Sequence, residues 1–458
     1  MAIHRSIVAG MLQRRYMGYI MRYGSSNDST PLTEPCNIAR YIEKVAKELG
    51  HIEMKQHQPK CADLMDSMCA NITQYTAMEV RAIAHGIAII FGKNANDRWL
   101  QCIATFTLKR AHMMPVYLLY PLVNSISKMA DHRNLLPFEQ LVDICVKRMD
   151  EANSIDLATI AQTAVLLKRR LPVFKLMEEV ANVTGTQRIL DEISASNAVL
   201  ILYAFAQTHV KHDQLFNKLS QVISKMSHDD FQMHLIPLAL HALAQLRSKD
   251  RHVLENIADY ALKVAEQMQP ANISSTVCAM AKLRYKHPLL LRAMANRTKQ
   301  LIPSINIREM SNILWGFGKL RYDDKEFVDS IIDRCSQYSD IDELSFAQTF
   351  EAIRCYHAVH KEDVIKSLTE RYLVIMPQCS TQIVTQVAWC CTSLGFNHDS
   401  IISKSLEVLT TRNRNAVEQK FVKMLLDALN NTGLEPEDTV QHYIAKLTST
   451  QETNAVNI

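Results

Sequence analysis

The sequence predicts an all-α chain, an α-solenoid of about ten two-helix repeats of ~37–38 residues, and three observations predict it. The motif Ala-x-Ala-x-Leu and its variants return along the chain: AFAQT at 204–208, ALAQL at 242–246, AMAKL at 279–283 and GFGKL at 316–320. Taking the last motif residue as an anchor gives the series Phe91, Met129, Leu167, Thr208, Leu246, Leu283, Leu320, Tyr356, Leu394 and Leu429, at spacings of 35 to 41 residues. Composition agrees. Only 11 glycines and 13 prolines punctuate 458 residues, Leu, Ala, Ile, Met, Lys, Glu and Gln dominate, and strand-like alternation is scarce.

In chain order, residues 1–27 hold Arg5, Arg14, Arg15 and Arg22 and no acid, the composition of a mitochondrial presequence, so the matrix is the expected compartment. Residues 28–77 are expected to supply N-terminal helices, 78–433 the repeats, and 434–458 a capping helix (PEDTVQHYIAKL) with a polar tail. Each repeat reads as a first helix ending near its anchor, a turn rich in Asp, Asn, His or Lys, and an amphipathic second helix, as at 214–226, 252–268 and 325–338. Pro270 and Pro288 suit first-turn positions, where a missing N–H costs little.

Net charge is +4, and the presequence-like segment carries four arginines, so the remaining body is about neutral. Nucleic-acid binding would then depend on local patches rather than a global field. The eleven cysteines form no CxxC pair, which argues against a zinc framework or disulfide scaffold and for thiols acting as small buried hydrophobes in a reducing compartment. No apolar run reaches the ~18–20 residues of a membrane span.

Turning 100° per residue back from the anchor divides the first helix into faces. The anchor and the residues three and seven before it form an apolar core stripe: Leu320, Phe317, Ile313; Leu283, Met280, Thr276; Leu246, Leu243, Ala239; Leu394, Cys391, Val387. Two and four residues before the anchor the side chains are usually small, Gly316 and Gly318 among them, and are expected to let second helices of neighbouring units approach. One, five, eight and twelve residues before the anchor lies a polar and aromatic sector. It includes Lys128 and Asn124; Gln207, Tyr203 and Ser196; Gln245, His241 and His234; Lys282, Cys278 and Ser275; Lys319, Trp315, Asn312 and Arg308; Ser393, Trp389, Gln386 and Gln382.

Stacking of first helices would turn that sector into a concave ladder. Its amides can bond base edges, its aromatics can stack on unpaired bases, and its cations can meet phosphates. A wet surface or a groove for a protein partner is the competing reading. One residue past the anchor runs a basic series, Lys168, His209, Arg247, Arg284, Arg321 and His357, with Lys168, Arg169 and Arg170 its densest patch. Phosphate contact and simple capping of helix C-termini both account for such cations.

The units IREMSNILWGFGKLRYDDKEFVDSI (307–331) and QPANISSTVCAMAKLRYKHPLLLRAM (269–294) resemble the octotricopeptide and heptatricopeptide repeats, and the related repeats of FAST-kinase-like and RAP-domain proteins. The shared core, a Gly-Phe-Gly-Lys-Leu-x-Tyr run followed by a polar turn, is sharpest at 270–325 and weakens toward both ends. The resemblance implies organellar RNA binding, either in transcript maturation, in RNA-editing assemblies or on ribosomal RNA of the mitoribosome. The RAP module that often ends such proteins has no counterpart in the tail TSTQETNAVNI, so its catalysis is not implied.

No other catalytic signature emerges. His357 and His360 with Glu362 and Asp363 match no zinc spacing, and no glycine loop is built to cradle phosphate. The expected function is a non-catalytic RNA-binding or scaffolding subunit of a mitochondrial ribonucleoprotein assembly, needing no cofactor, metal or small-molecule substrate. Its partners would be mRNA, guide RNA or rRNA and other protein subunits, without a membrane; the alternative is a protein scaffold that touches no RNA. The candidate RNA contacts are Lys128, Lys168, Arg169, Arg170, Tyr203, Gln207, His241, Gln245, Arg247, Lys282, Arg284, Arg308, Asn312, Trp315, Lys319, Arg321, Gln386 and Trp389.

Overall fold

The computed structural model describes residues 34–49, 51–130, 136–225, 231–247, 250–395 and 399–410, together with 424, 427 and 428. The presequence-like segment, the anchor Leu429 and the expected capping helix lie outside the described residues. The described residues contain α-helices and short 3-10 turns and no strand. The chain divides into two compact units, one ending at Ile257 and the other beginning at Ala258.

The first unit contains α1 (Pro35–Glu48), α2 (His51–Ala70), α3 (Ala77–Ile90), α4 (Asp97–Arg110), α5 (Val116–Met129), α6 (Phe138–Lys147), α7 (Ser154–Leu167), α8 (Phe174–Thr184), α9 (Gln187–Glu192), α10 (Ala195–Thr208), α11 (Asp213–Ser224) and α12 (Leu235–Gln245). First helices stack directly: α1 on α3, α3 on α5, α5 on α7, α7 on α10 and α10 on α12. The pair α1 and α2 therefore joins its neighbour as the later pairs do. The boundary between units falls within α13 (Arg251–Lys263).

The second unit continues with α14 (Pro270–Leu283), α15 (Pro288–Leu301), α16 (Ile307–Lys319), α17 (Lys325–Gln337), α18 (Glu343–Tyr356), α19 (Glu362–Ile375), α20 (Thr381–Ser393) and α21 (Asp399–Thr410). Its first helices α14, α16, α18 and α20 pack in succession, while α17 meets α19 and α19 meets α21. Both units are α-solenoid stacks of two-helix repeats.

Local chemistry starts the helices where the repeat requires. Asn306 caps α16 in a box with Glu309, as Thr76 with Glu79 caps α3 and Asn153 with Asp156 caps α7. The polar turns after the anchors supply caps for second helices: Asp324 accepts from Phe327 N at 2.9 Å, and the Nδ1 atoms of His212 and His287 accept from Leu215 N and Leu290 N. Pro270 and Pro288 open α14 and α15.

The apolar stripe is core in the best-marked repeat, where Ile313, Phe317 and Leu320 are all buried. Leu246 and Leu283 are only half-buried. The small residues correct one expectation: it is first helices, not second, that they admit. A Cβ on Gly316 would stand 2.3 Å from Val277 Cγ1 on α14, and one on Gly318 would stand 3.3 Å from Cys355 Cβ on α18. First helices bury small faces on both sides, which brings their axes close.

Candidate nucleic-acid interface

Stacking places the polar sector of one first helix against that of the next. In the second unit Glu351 of α18 gathers donors from both sides: Trp315 Nε1 at 2.9 Å, Gln386 Nε2 at 2.7 Å, and Lys319 Nζ. Gln348 donates to Asn312 Oδ1 at 2.6 Å and accepts from Ser311, while Cys278 Sγ donates to the Asn312 carbonyl. The Arg354 guanidinium lies 4.2 Å from the centre of the Trp389 ring, and Arg308 forms an ion pair with Asp342 at 2.7 Å.

The first unit uses the same device. Gln207 Nε2 and His241 Nε2 are 3.1 Å apart, the Tyr203 and His241 rings sit at 5.9 Å, and Lys168 Nζ donates to the Gln207 carbonyl at 2.5 Å. Asn124 donates to Thr163 Oγ1 at 2.9 Å. Lys128 is half-buried, and burial pulls its ammonium down to about 8. Arg170 lies over the Phe138 ring. Polar identity in this sector thus answers to the neighbouring repeat at many positions. Arg169, Gln245 and Lys282 instead are exposed and make no hydrogen bond or ion pair with described residues.

The series one residue past the anchor has a distinct backbone. His209, Arg247, Arg284, Arg321 and His357 all adopt left-handed conformations, with φ of 58, 53, 54, 50 and 50°. In the second unit they close Schellman motifs: Tyr285 N donates to Met280 O, Tyr322 N to Phe317 O and Ala358 N to Ile353 O, at 3.0 to 3.1 Å. The Tyr322 and Phe317 rings, 5.0 Å apart, make the apolar contact that accompanies such a cap. Glycine is the residue usually found there, because the left-handed region costs other residues roughly 1–2 kcal/mol. Gly92 and Gly395 take that place after the anchors Phe91 and Leu394, with φ of 54 and 74°. All five side chains are exposed and make no hydrogen bond or ion pair among the described residues. Lys168 leaves the series: its φ is −53°, and its amine is spent on Gln207.

A further set escaped sequence reasoning. Arg148 Nη1 donates to the carbonyls of Ala111 and Met114, Arg188 to Asp150 and Ala152, Arg297 to Met268, and Arg371 to Ser336. Each reaches carbonyls at or a few residues past the end of the preceding second helix, 29 to 38 residues back. Arginines recurring in the second half of the repeat, about one repeat after a helix end, were the available signal.

Among the described residues, no group of His, Cys, Asp or Glu is arranged to hold a metal ion, and His360 pairs instead with Asp329 at 2.9 Å. No helix among them is long and apolar enough to cross a membrane.

The family model described as "RESC6: RNA-editing substrate-binding complex 6 protein" matches residues 78–345, more than half of the chain. No curated protein matches. Among solved structures, the chain is similar to one in "Homology model of the full-length AP-3 complex in an intermediate open conformation", at 11% identity over 91% of this chain and 74% of that one, with a TM-score of 0.39. It is similar to "Circular tandem repeat protein with novel repeat topology and enhanced subunit contact surfaces" at 12% identity, over 93% of this chain and 100% of that one, with a TM-score of 0.22.

Proposed function

This chain belongs to the RESC6 family of RNA-editing substrate-binding complex proteins, and from that premise we propose how its repeats serve. It is a non-catalytic RNA-binding and scaffolding subunit of a mitochondrial RNA-processing complex. Its RNA is an editing substrate, mRNA or guide RNA, in the mitochondrial matrix. Its repeats are of the octotricopeptide and heptatricopeptide kind, each offering the strand a few side chains from the exposed end of its first helix.

The supporting observation is the division of labour among the candidates. Asn312, Trp315, Lys319, Gln386, Tyr203, Gln207, His241 and Lys168 are engaged between repeats, whereas Arg169, Gln245, Lys282, Arg247, Arg284 and Arg321 hold cations or amides out to solvent. Five unspent cations and one unspent amide, Gln245, suit a strand with phosphates and base edges. The engaged set keeps the repeats in register, so that free groups recur at a fixed interval.

Crosslinking in mitochondria followed by RNA sequencing tests this reading. Recovery of edited mRNA or guide RNA on this chain is the expected result. No RNA adduct, with association to protein partners intact, would replace it with a scaffold that touches only protein, a role to which a nearly neutral body is suited.

A further inference from the structure

We infer that Arg284, Arg321 and His357 form a phosphate-gripping row in the second unit, giving the bound RNA strand one contact per repeat without reading its bases. The inference deepens the RNA-binding function proposed above and rests on it.

The backbone is the first support. All three residues sit at the same repeat position, in a left-handed conformation that glycine adopts without steric cost. Glycine at Gly395 shows that this unit accommodates the unstrained solution. A cation kept at a strained position points to work done by its side chain.

Capping is the ordinary work of a cation at a helix C-terminus, and it leaves a signature that is missing here. The Schellman bonds of Tyr285, Tyr322 and Ala358 already satisfy the carbonyls of Met280, Phe317 and Ile353. Arg371, which does cap, places its Nη1 2.8 Å from the Ser336 carbonyl. The side chains of Arg284, Arg321 and His357 bond no carbonyl and no acid among the described residues; they point a charge or an imidazole at solvent.

The surroundings extend the row. Lys286 Nζ donates to the Arg321 carbonyl at 3.0 Å, adding a cation beside it, and exposed Lys282 precedes Arg284 by two residues. Exposed Asp323 is the acid nearest in sequence to Arg321. A helix end carrying unpaired guanidinium groups fits phosphate oxygens, which accept paired N–H bonds. His209 and Arg247 repeat the arrangement independently in the first unit.

The test compares the full chain with its Arg284→Gly/Arg321→Gly/His357→Gly variant, using a labelled single-stranded RNA of mixed sequence over a salt series at pH 7. With both guanidinium groups removed from the phosphate path, the slope of log affinity against log salt should become shallower by about 1.4, at ~0.7 per phosphate neutralised on a single strand. The melting temperature should stay level or rise, since glycine relieves the left-handed strain. Arg284→Lys/Arg321→Lys should keep the wild-type slope. An unchanged slope in the glycine variant, with RNA still bound, overturns the row and leaves RNA binding standing. A fall of several degrees in melting temperature overturns it by making the cations structural. A full chain that binds no RNA removes the underlying function and this inference together.

Discussion

Replacing Gly316 with alanine tests the packing that sets the repeat. The added Cβ would lie 2.3 Å from Val277 Cγ1, 3.1 Å from the Val277 carbonyl carbon and 3.2 Å from its oxygen. Carbon atoms pack best at ~3.5–4.0 Å, so α14 and α16 must separate by about 1 Å or Val277 must turn. Val277 is fully buried and its branched side chain has no flexible end to yield. Overpacking of this kind costs ~1–3 kcal/mol, and the backbone contact puts it near the upper end. Alanine returns ~1 kcal/mol of helix propensity, which leaves a net loss of about 2 kcal/mol. At Gly318 the nearest contacts are 3.3 Å, so the two effects should nearly cancel and Gly318→Ala should be close to neutral. Denaturant midpoints followed by far-ultraviolet circular dichroism give both values. Adding Val277→Ala should recover about 1–2 kcal/mol through coupling of the touching pair. A stabilised Gly316→Ala protein, or strict additivity with Val277→Ala, would refute the close approach.

Other outcomes follow from the same packing. Arg148→Met should lower stability by about 3 kcal/mol, because hydrogen bonds to charged groups are worth ~1.5–3 kcal/mol and two carbonyls, Ala111 and Met114, lose their donor; an unchanged midpoint would count against the clasp. Glu351→Ala should cost about 1–3 kcal/mol by stranding Trp315 and Gln386, and Glu351→Gln should cost less because it still accepts a bond. His85 is held down to about 3, first by burial and then by Lys128, Arg81 and Lys47. From its ordinary 6.5 downward the unfolded chain takes up a proton that the folded chain refuses, so stability should fall as pH drops from 6.5 toward 3. His85→Asn should flatten that part of the pH profile, and an identical slope in the variant would assign the acid sensitivity elsewhere.

Much of this architecture was legible because a repeat states its rule many times. One helix alone leaves Gly316 ambiguous, but Ala204, Ala242, Ala279 and Gly316 at the same register mark a face of close approach. Which helix approaches was not legible: a helical wheel gives direction, and only the stacking shows that Val277 of a first helix fills the space above Gly316. The polar sector shows the same limit. Trp315 and Lys319 read as groups facing a ligand, yet their partner is Glu351, 36 and 32 residues away. The sign of φ at Arg284 and Arg321 was hidden too, since arginine carries no propensity for the left-handed region and only the series with Gly92 and Gly395 hints at it.

Protein–RNA crosslinking read out by mass spectrometry on the intact mitochondrial complex tests the central claim most directly. Adducts should recur once per repeat at the ends of first helices, around Gln245–Arg247, Lys282–Arg284 and Lys319–Arg321. Adducts confined to the second helices, or none between residues 124 and 393, would contradict it.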